Sequence, residues 1–145
     1  GTGEVTENLF SLYVTDRCCE LPGGHPAVDP AEREKRTRAH LAAGAPFDEW
    51  KGDPFLALYM YMQLQEAFGW EAYKRVFAEY RAAPDAELPK NDDEKRDQWM
   101  VRFSRTVGRN LGPFFQTWGV PTSDQARASI ADLPEWMPEG FPPTP

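Results

Sequence analysis

Cysteine is scarce in this chain: its two residues, Cys18 and Cys19, stand side by side. Adjacent cysteines close a ring too tight for relaxed disulfide geometry, so a disulfide framework is excluded. Two thiols without a second cluster are also a poor zinc site, and they read as ordinary thiols at a helix end. Histidine is equally scarce, with only His25 and His40. There is no H-E-x-x-H and no pair of histidines at i, i+4, so a self-contained zinc site is not expected. G-x-S-x-G, Walker A and Rossmann glycine patterns are missing too. No apolar run approaches the roughly 18 residues of a membrane span, and no signal-peptide pattern is visible. Basic residues are outnumbered, 16 Lys and Arg against 23 Asp and Glu, for a net charge of −7. That balance argues against a duplex nucleic-acid binder, which needs clustered cations to displace counterions. It also argues against adhesion to anionic membranes.

What remains is globular in composition. Of 145 residues, 41% are hydrophobic, 13% aromatic and 27% charged. A chain of this size buries about 68–70% of its unfolded surface, enough for one domain or part of one. The chain opens at Gly1 without a methionine, and a fragment of a longer protein is expected.

The periodicity is helical throughout. Thr2 to Thr15 carries Val5, Leu9, Leu12 and Tyr13 at helical spacing, with Glu4, Asn8 and Ser11 on another face. Leu21 to Pro26 is a Pro/Gly loop that no helix could absorb. Pro30 starts a charged, mostly solvated helix, Ala31 to Ala43, ended by Gly44. Asp53-Pro54 is an N-cap and first-turn pair. The helix after it, Phe55 to Phe68, is apolar almost all round and should be the most buried element. Gly69 stops it. Trp70, Tyr73, Phe77 and Tyr80 stripe the next helix, and 82–89 is a loop. Asn91 or Asp92 caps a helix whose stripe is Trp99, Met100, Phe103 and Val107. Gly112-Pro113 interrupts or kinks it before Phe114, Phe115 and Trp118. Trp70, Phe77, Trp99, Phe103, Phe115 and Trp118 are the candidate core partners of the buried helix. Gly119-Val120-Pro121 is a turn, and Ser123 caps a last helix, Asp124 to Ala131. From Leu133 five prolines fall in the last twelve residues, which reads as an extended or disordered tail. No period-2 run survives the punctuation. The reading is an all-α unit of about six helices over 1–137, with a Pro-rich tail over 138–145.

One polar feature stands out. Glu4 and Asn8 share a helix face one turn apart. A carboxylate with a polar neighbour at i+4 suits a metal ligand and the residue that steadies it, and equally suits a solvated helix start with an acid near its N-terminus.

The stretch Glu4-Val5-Thr6-Glu7-Asn8-Leu9-Phe10-Ser11-Leu12-Tyr13-Val14 resembles the helix after the zinc-binding helix in peptidase family M60, the enhancin-like gluzincins. Leu64 to Glu71, Phe77-Ala78-Glu79-Tyr80, Trp99, Asn110 to Gly119 and Leu133-Pro134-Glu135-Trp136 are similar to the same family, in the same order. The resemblance runs from about residue 1 to 137. It is strongest toward the animal TRP-channel-associated factors, which carry an M60-like domain, and toward bacterial members.

The resemblance implies a gluzincin C-terminal helical lobe. In that family H-E-x-x-H supplies two zinc ligands and the general base, and a Glu on the next helix is the third ligand. That Glu matches Glu4; Asn8 matches a polar position beside it. The H-E-x-x-H helix would lie upstream of Gly1, so no catalytic residue is expected in this chain, and zinc would bind tightly only in the full-length parent. The partners implied are the rest of the peptidase domain and a glycoprotein or mucin-type substrate. In channel-associated members the metal motif can be degenerate and the partner is a cation channel. A mucin-degrading type would be secreted or at the cell surface, a channel-associated type cytoplasmic or membrane-associated.

Overall fold

A computed structural model of the chain describes residues 3–19 and 28–143. Among these there are seven α-helices and no strand: α1 Gly3–Arg17, α2 Pro30–Ala42, α3 Phe47–Gly52, α4 Pro54–Ala82, α5 Asp92–Val107, α6 Gly112–Thr117 and α7 Asp124–Ala128. The expected all-α fold is therefore observed. No described helix is long and apolar enough to cross a membrane. The Pro/Gly loop at 21–26, with His25, lies outside the described residues. The chain divides into two compact units, Gly1–Leu64 and Gln65–Pro145.

In the first unit, α1 buries Val5, Leu9 and Leu12, the i, i+4, i+7 stripe that its sequence announces. Asp29 caps α2 by accepting from the Glu32 N–H at 2.9 Å, and Pro30 occupies the first turn, where its missing N–H costs nothing. Asp53 holds the start of α4. Its Oδ1 accepts from the Phe55 and Leu56 N–H groups, both at 3.1 Å, and its Oδ2 receives the Arg36 guanidinium from α2.

α2 is mostly solvated, as expected, with Thr37 and His40 as its buried residues. Two expectations need correction here. α3 is a helix where the sequence suggested none, and its Trp50 is buried between stacked Phe47 and tilted Tyr61. The Phe55–Phe68 stretch is not buried all round: Leu56 to Met60 and Leu64 are sealed, whereas Phe55, Tyr61, Met62 and Phe68 are half-buried.

In the second unit, Gly69 breaks α4 as expected: at φ 73°, ψ 174° its backbone is non-helical, a conformation close to glycine-only, and a second helical segment continues directly after it. Trp70, Ala72, Tyr73 and Val76 are buried beyond it. A 3₁₀ turn, Asp85–Glu87, occupies the expected loop. Asn91 caps α5 reciprocally: its Oδ1 accepts from Glu94 N–H at 2.9 Å and its Nδ2 donates to Glu94 Oε1 at 2.8 Å, while Glu94 Oε2 accepts from Lys90 N–H at 2.8 Å. α5 ends at Gly108, left-handed at φ 65°, ψ 33°. Gly112-Pro113 therefore does not kink α5; it starts α6, with Pro in the first turn. Ser123 caps α7 as expected, but α7 stops at Ala128 rather than Ala131.

Aromatic rings bind this unit together. Tyr73 meets Phe103 edge-on at 5.0 Å between centroids, and Trp99 lies 5.5 Å from Phe77. Trp70, Phe103, Phe115 and Trp118 are buried as expected, while Phe77 and Trp99 are half-buried. The tail is also corrected. It is anchored, and it turns over Pro138–Phe141: Asn110 N–H donates to Pro134 O at 2.8 Å, Trp136 N–H to Asn110 O at 3.1 Å, and Phe141 N–H to Pro138 O at 3.1 Å. Trp136 sits 4.8 Å from Phe68 and 5.2 Å from Phe114, and Phe141 stacks on Trp118 at 5.6 Å.

Candidate functional site

The candidate metal-ligand face is built by α1. Burial of Val5, Leu9 and Leu12 fixes the rotation of the helix and turns Glu4 outward. Glu4 is exposed in the first turn, where the helix dipole favours a carboxylate. Asn8, one turn on, is half-buried, and Ser11 is exposed, its hydroxyl donating to Glu7 O at 3.1 Å. The structure thus keeps Glu4 and Asn8 on one face.

Among the described residues no group of three or more His, Cys, Asp and Glu side chains could hold a metal ion. Cys18 and Cys19 are free and exposed just past the end of α1. Fourteen residues of helix separate Glu4 from Cys18, about 21 Å at 1.5 Å per residue, too far for one site. His40 is buried in α2, its Nδ1 2.7 Å from Glu49 Oε2 of α3. A tetrahedral zinc centre needs four donors, and the described residues gather fewer than three such side chains around Glu4. They do not form a zinc site by themselves, and no chemical step through a metal follows from them.

Two polar arrangements escaped the sequence reading. The first is the His40–Glu49 pair. Its signal was present: Thr37, His40 and Leu41 share one stripe of α2 at i, i+3, i+4. The second lies where α4 meets α5. The Arg102 guanidinium stands 4.7 Å over the Tyr80 ring and 3.6 Å from Glu79. Trp99 stacks beside Tyr80 at 6.3 Å. Burial pushes the Tyr80 hydroxyl up to about 12, against the opposing pull of Arg102. Elsewhere the hydrogen bond from Arg105, at 2.7 Å, holds the Asp132 carboxyl below its ordinary range. These groups tune local charge but assemble no nucleophile with a base.

Residues 1–119 match the model of the family described as peptidase M60, enhancin and enhancin-like. TRPM8 channel-associated factor 2 of Bos taurus is 44% identical over 137 residues, covering 93% of this chain and 15% of that protein. TRPM8 channel-associated factor 1 of Homo sapiens is 40% identical over 137 residues, covering 93% and 14%. The chain thus spans about 15% of the length of these curated relatives. Among solved structures, a functionally unknown conserved protein from Bacillus anthracis str. Ames is similar with a TM-score of 0.79 and 35% identity, over 94% of this chain and 27% of that one.

Proposed function

Because this chain belongs to the peptidase M60, enhancin and enhancin-like family, we propose that it is the helical M60-like part of a protein that associates with a cation channel. What carries this reading is the match to the TRPM8 channel-associated factors along nearly the whole chain. The site chemistry agrees with a binding role. A helical lobe with one exposed carboxylate and a closed aromatic core offers surface for recognition, and the described residues bring together no donor set for catalysis. The test is retention of detergent-solubilised TRPM8 on the full-length protein that contains this chain. Retention above that of a version lacking residues 1–145 supports the reading. Equal retention sinks it.

A second reading has its own observation. The exposed Glu4 on the polar face of α1 suits a carboxylate offered to a zinc ion whose histidines lie in the rest of the peptidase domain, upstream of Gly1. The parent would then hydrolyse glycoprotein or mucin-type substrates, with no catalytic residue from this chain and Asn8 steadying the ligand. Metal analysis of the full-length parent tests it. Glu4→Ala should lose zinc and peptidase activity together, and Asn8→Ala should weaken either by roughly 10–100-fold. Unchanged zinc content in Glu4→Ala removes the reading.

A further inference from the structure

Residues 133–143 form a strap on the second unit, without regular structure from Pro134 to Pro138 and then turning over Pro138–Phe141, where the Phe141 N–H donates to Pro138 O at 3.1 Å. Pro134, Pro138, Pro142 and Pro143 have no N–H to give, so the strap cannot pair along its length. Its backbone attachment is concentrated at Asn110, which donates to Pro134 O and accepts from Trp136 N–H. The remaining hold is aromatic. Trp136 enters between Phe68 and Phe114, and Phe141 lies against Phe114 and Trp118. Beneath it, Phe114 and Trp118 are fully buried. The Asn110 side chain completes the bed: its Oδ1 accepts from the Gly112 N–H at 2.9 Å, fixing the turn into α6. All four bed residues lie within the stretch that the family match covers.

We propose that Phe68, Asn110, Phe114 and Trp118 form a binding site for a proline-rich peptide bearing two aromatic anchors five residues apart with a turn before the second, and that residues 133–143 occupy it as an internal ligand. The arrangement combines two general modes of peptide recognition. A short backbone bridge sets direction and register, and aromatic pockets hold two rings of a chain stiffened by proline. Stiffness lowers the ordering cost of binding. An attachment made of one two-bond bridge and two rings can open without the helices. Once open, it leaves an apolar surface that favours a replacement occupant. The tethered strap is present at an effective concentration on the order of millimolar, so a soluble competitor meets a self-occupied site. This inference does not depend on the channel reading.

Two measurements on the full 145-residue chain test it. In hydrogen exchange, the Trp136 and Asn110 amides should exchange together, at least about 100-fold faster than those of Met100 and Phe103 in α5. Equal rates would show that the strap opens only with the whole unit and would overturn the proposal. In the second, the chain carrying Trp136→Ala and Phe141→Ala is titrated with a fluorescent peptide of residues 131–145. Saturable binding at least about tenfold tighter than to the unaltered chain is expected, because the internal competitor is disabled. A peptide with both aromatics replaced by alanine should not bind. Equal binding to both chains, or none to a doubly altered chain with intact helical circular dichroism, overturns the proposal. So does loss of that helical signal, since the bed would then not exist apart from its strap.

Discussion

His40 Nδ1 lies 2.7 Å from Glu49 Oε2, with the imidazole fully buried and the carboxylate half in water. The pair joins α2 to α3 across the Gly44 turn. Glu49→Ala removes a carboxylate acceptor from a buried ring nitrogen and should cost about 1–3 kcal/mol. Glu49→Gln keeps an oxygen in place and should cost less. His40→Ala adds a cavity and should cost the most, about 2–4 kcal/mol. Urea midpoints of the three variants should fall in that order; a neutral Glu49→Ala would contradict it.

Burial ranks the core. Trp118 is fully buried, so Trp118→Ala should cost about 3–5 kcal/mol. Phe68 is half-buried, and Phe68→Ala should cost visibly less than that. Lys35 has a side chain 78% exposed, and Lys35→Ala should stay within about 0.5 kcal/mol of the parent. Chemical denaturation of the three side by side checks the ranking.

Two glycines should resist alanine for different reasons. At Gly69 a Cβ would meet nothing within 4 Å, so the cost of Gly69→Ala is backbone strain at φ 73°, about 1–3 kcal/mol. At Gly112 the added Cβ would sit 2.9 Å from Asn110 Oδ1. Gly112→Ala should therefore disturb Asn110 and, through it, the Pro134–Trp136 bridge. Amide exchange at Trp136 should accelerate in Gly112→Ala and stay unchanged in Gly69→Ala.

Tyr80 sets an alkaline limit. Burial raises its hydroxyl from the ordinary 10 to about 12, so the folded state holds this proton more tightly than the unfolded state. The stabilisation it gives is fully present below pH 10 and is lost as pH rises through 12. Unfolding midpoints should drop over that window in the parent chain and drop less in Tyr80→Phe. Identical profiles would remove Tyr80 from the account.

The longer helices were legible from a stripe or a cap, Val5, Leu9 and Leu12 in α1 and Asn91 at α5, and the short α7 from its Ser123 cap alone. The short α3 was not. Its N-cap, Pro46, makes no side-chain cap bond, and six residues are too few to show a period. Gly112-Pro113 misled because Gly-Pro punctuates both ends and beginnings, and the true stop, Gly108, lay four residues earlier. Proline content kept the tail out of regular structure but hid its anchoring, which depends on where Trp136 and Phe141 fall in space. At the candidate site, spacing put Glu4 and Asn8 on one face. Their chemistry depends on groups that this chain's spacing does not reach.

The enclosure of Trp50 has an optical consequence. It is the one tryptophan before Leu64; the other four, Trp70, Trp99, Trp118 and Trp136, all belong to the second unit. The chain is therefore unevenly self-labelled. In a chain carrying Trp50→Phe, indole emission reports on residues 65–145 alone, and the difference from the parent spectrum isolates the environment of a single ring between Phe47 and Tyr61. The melting of either half can be followed by its native fluorescence, with no dye attached.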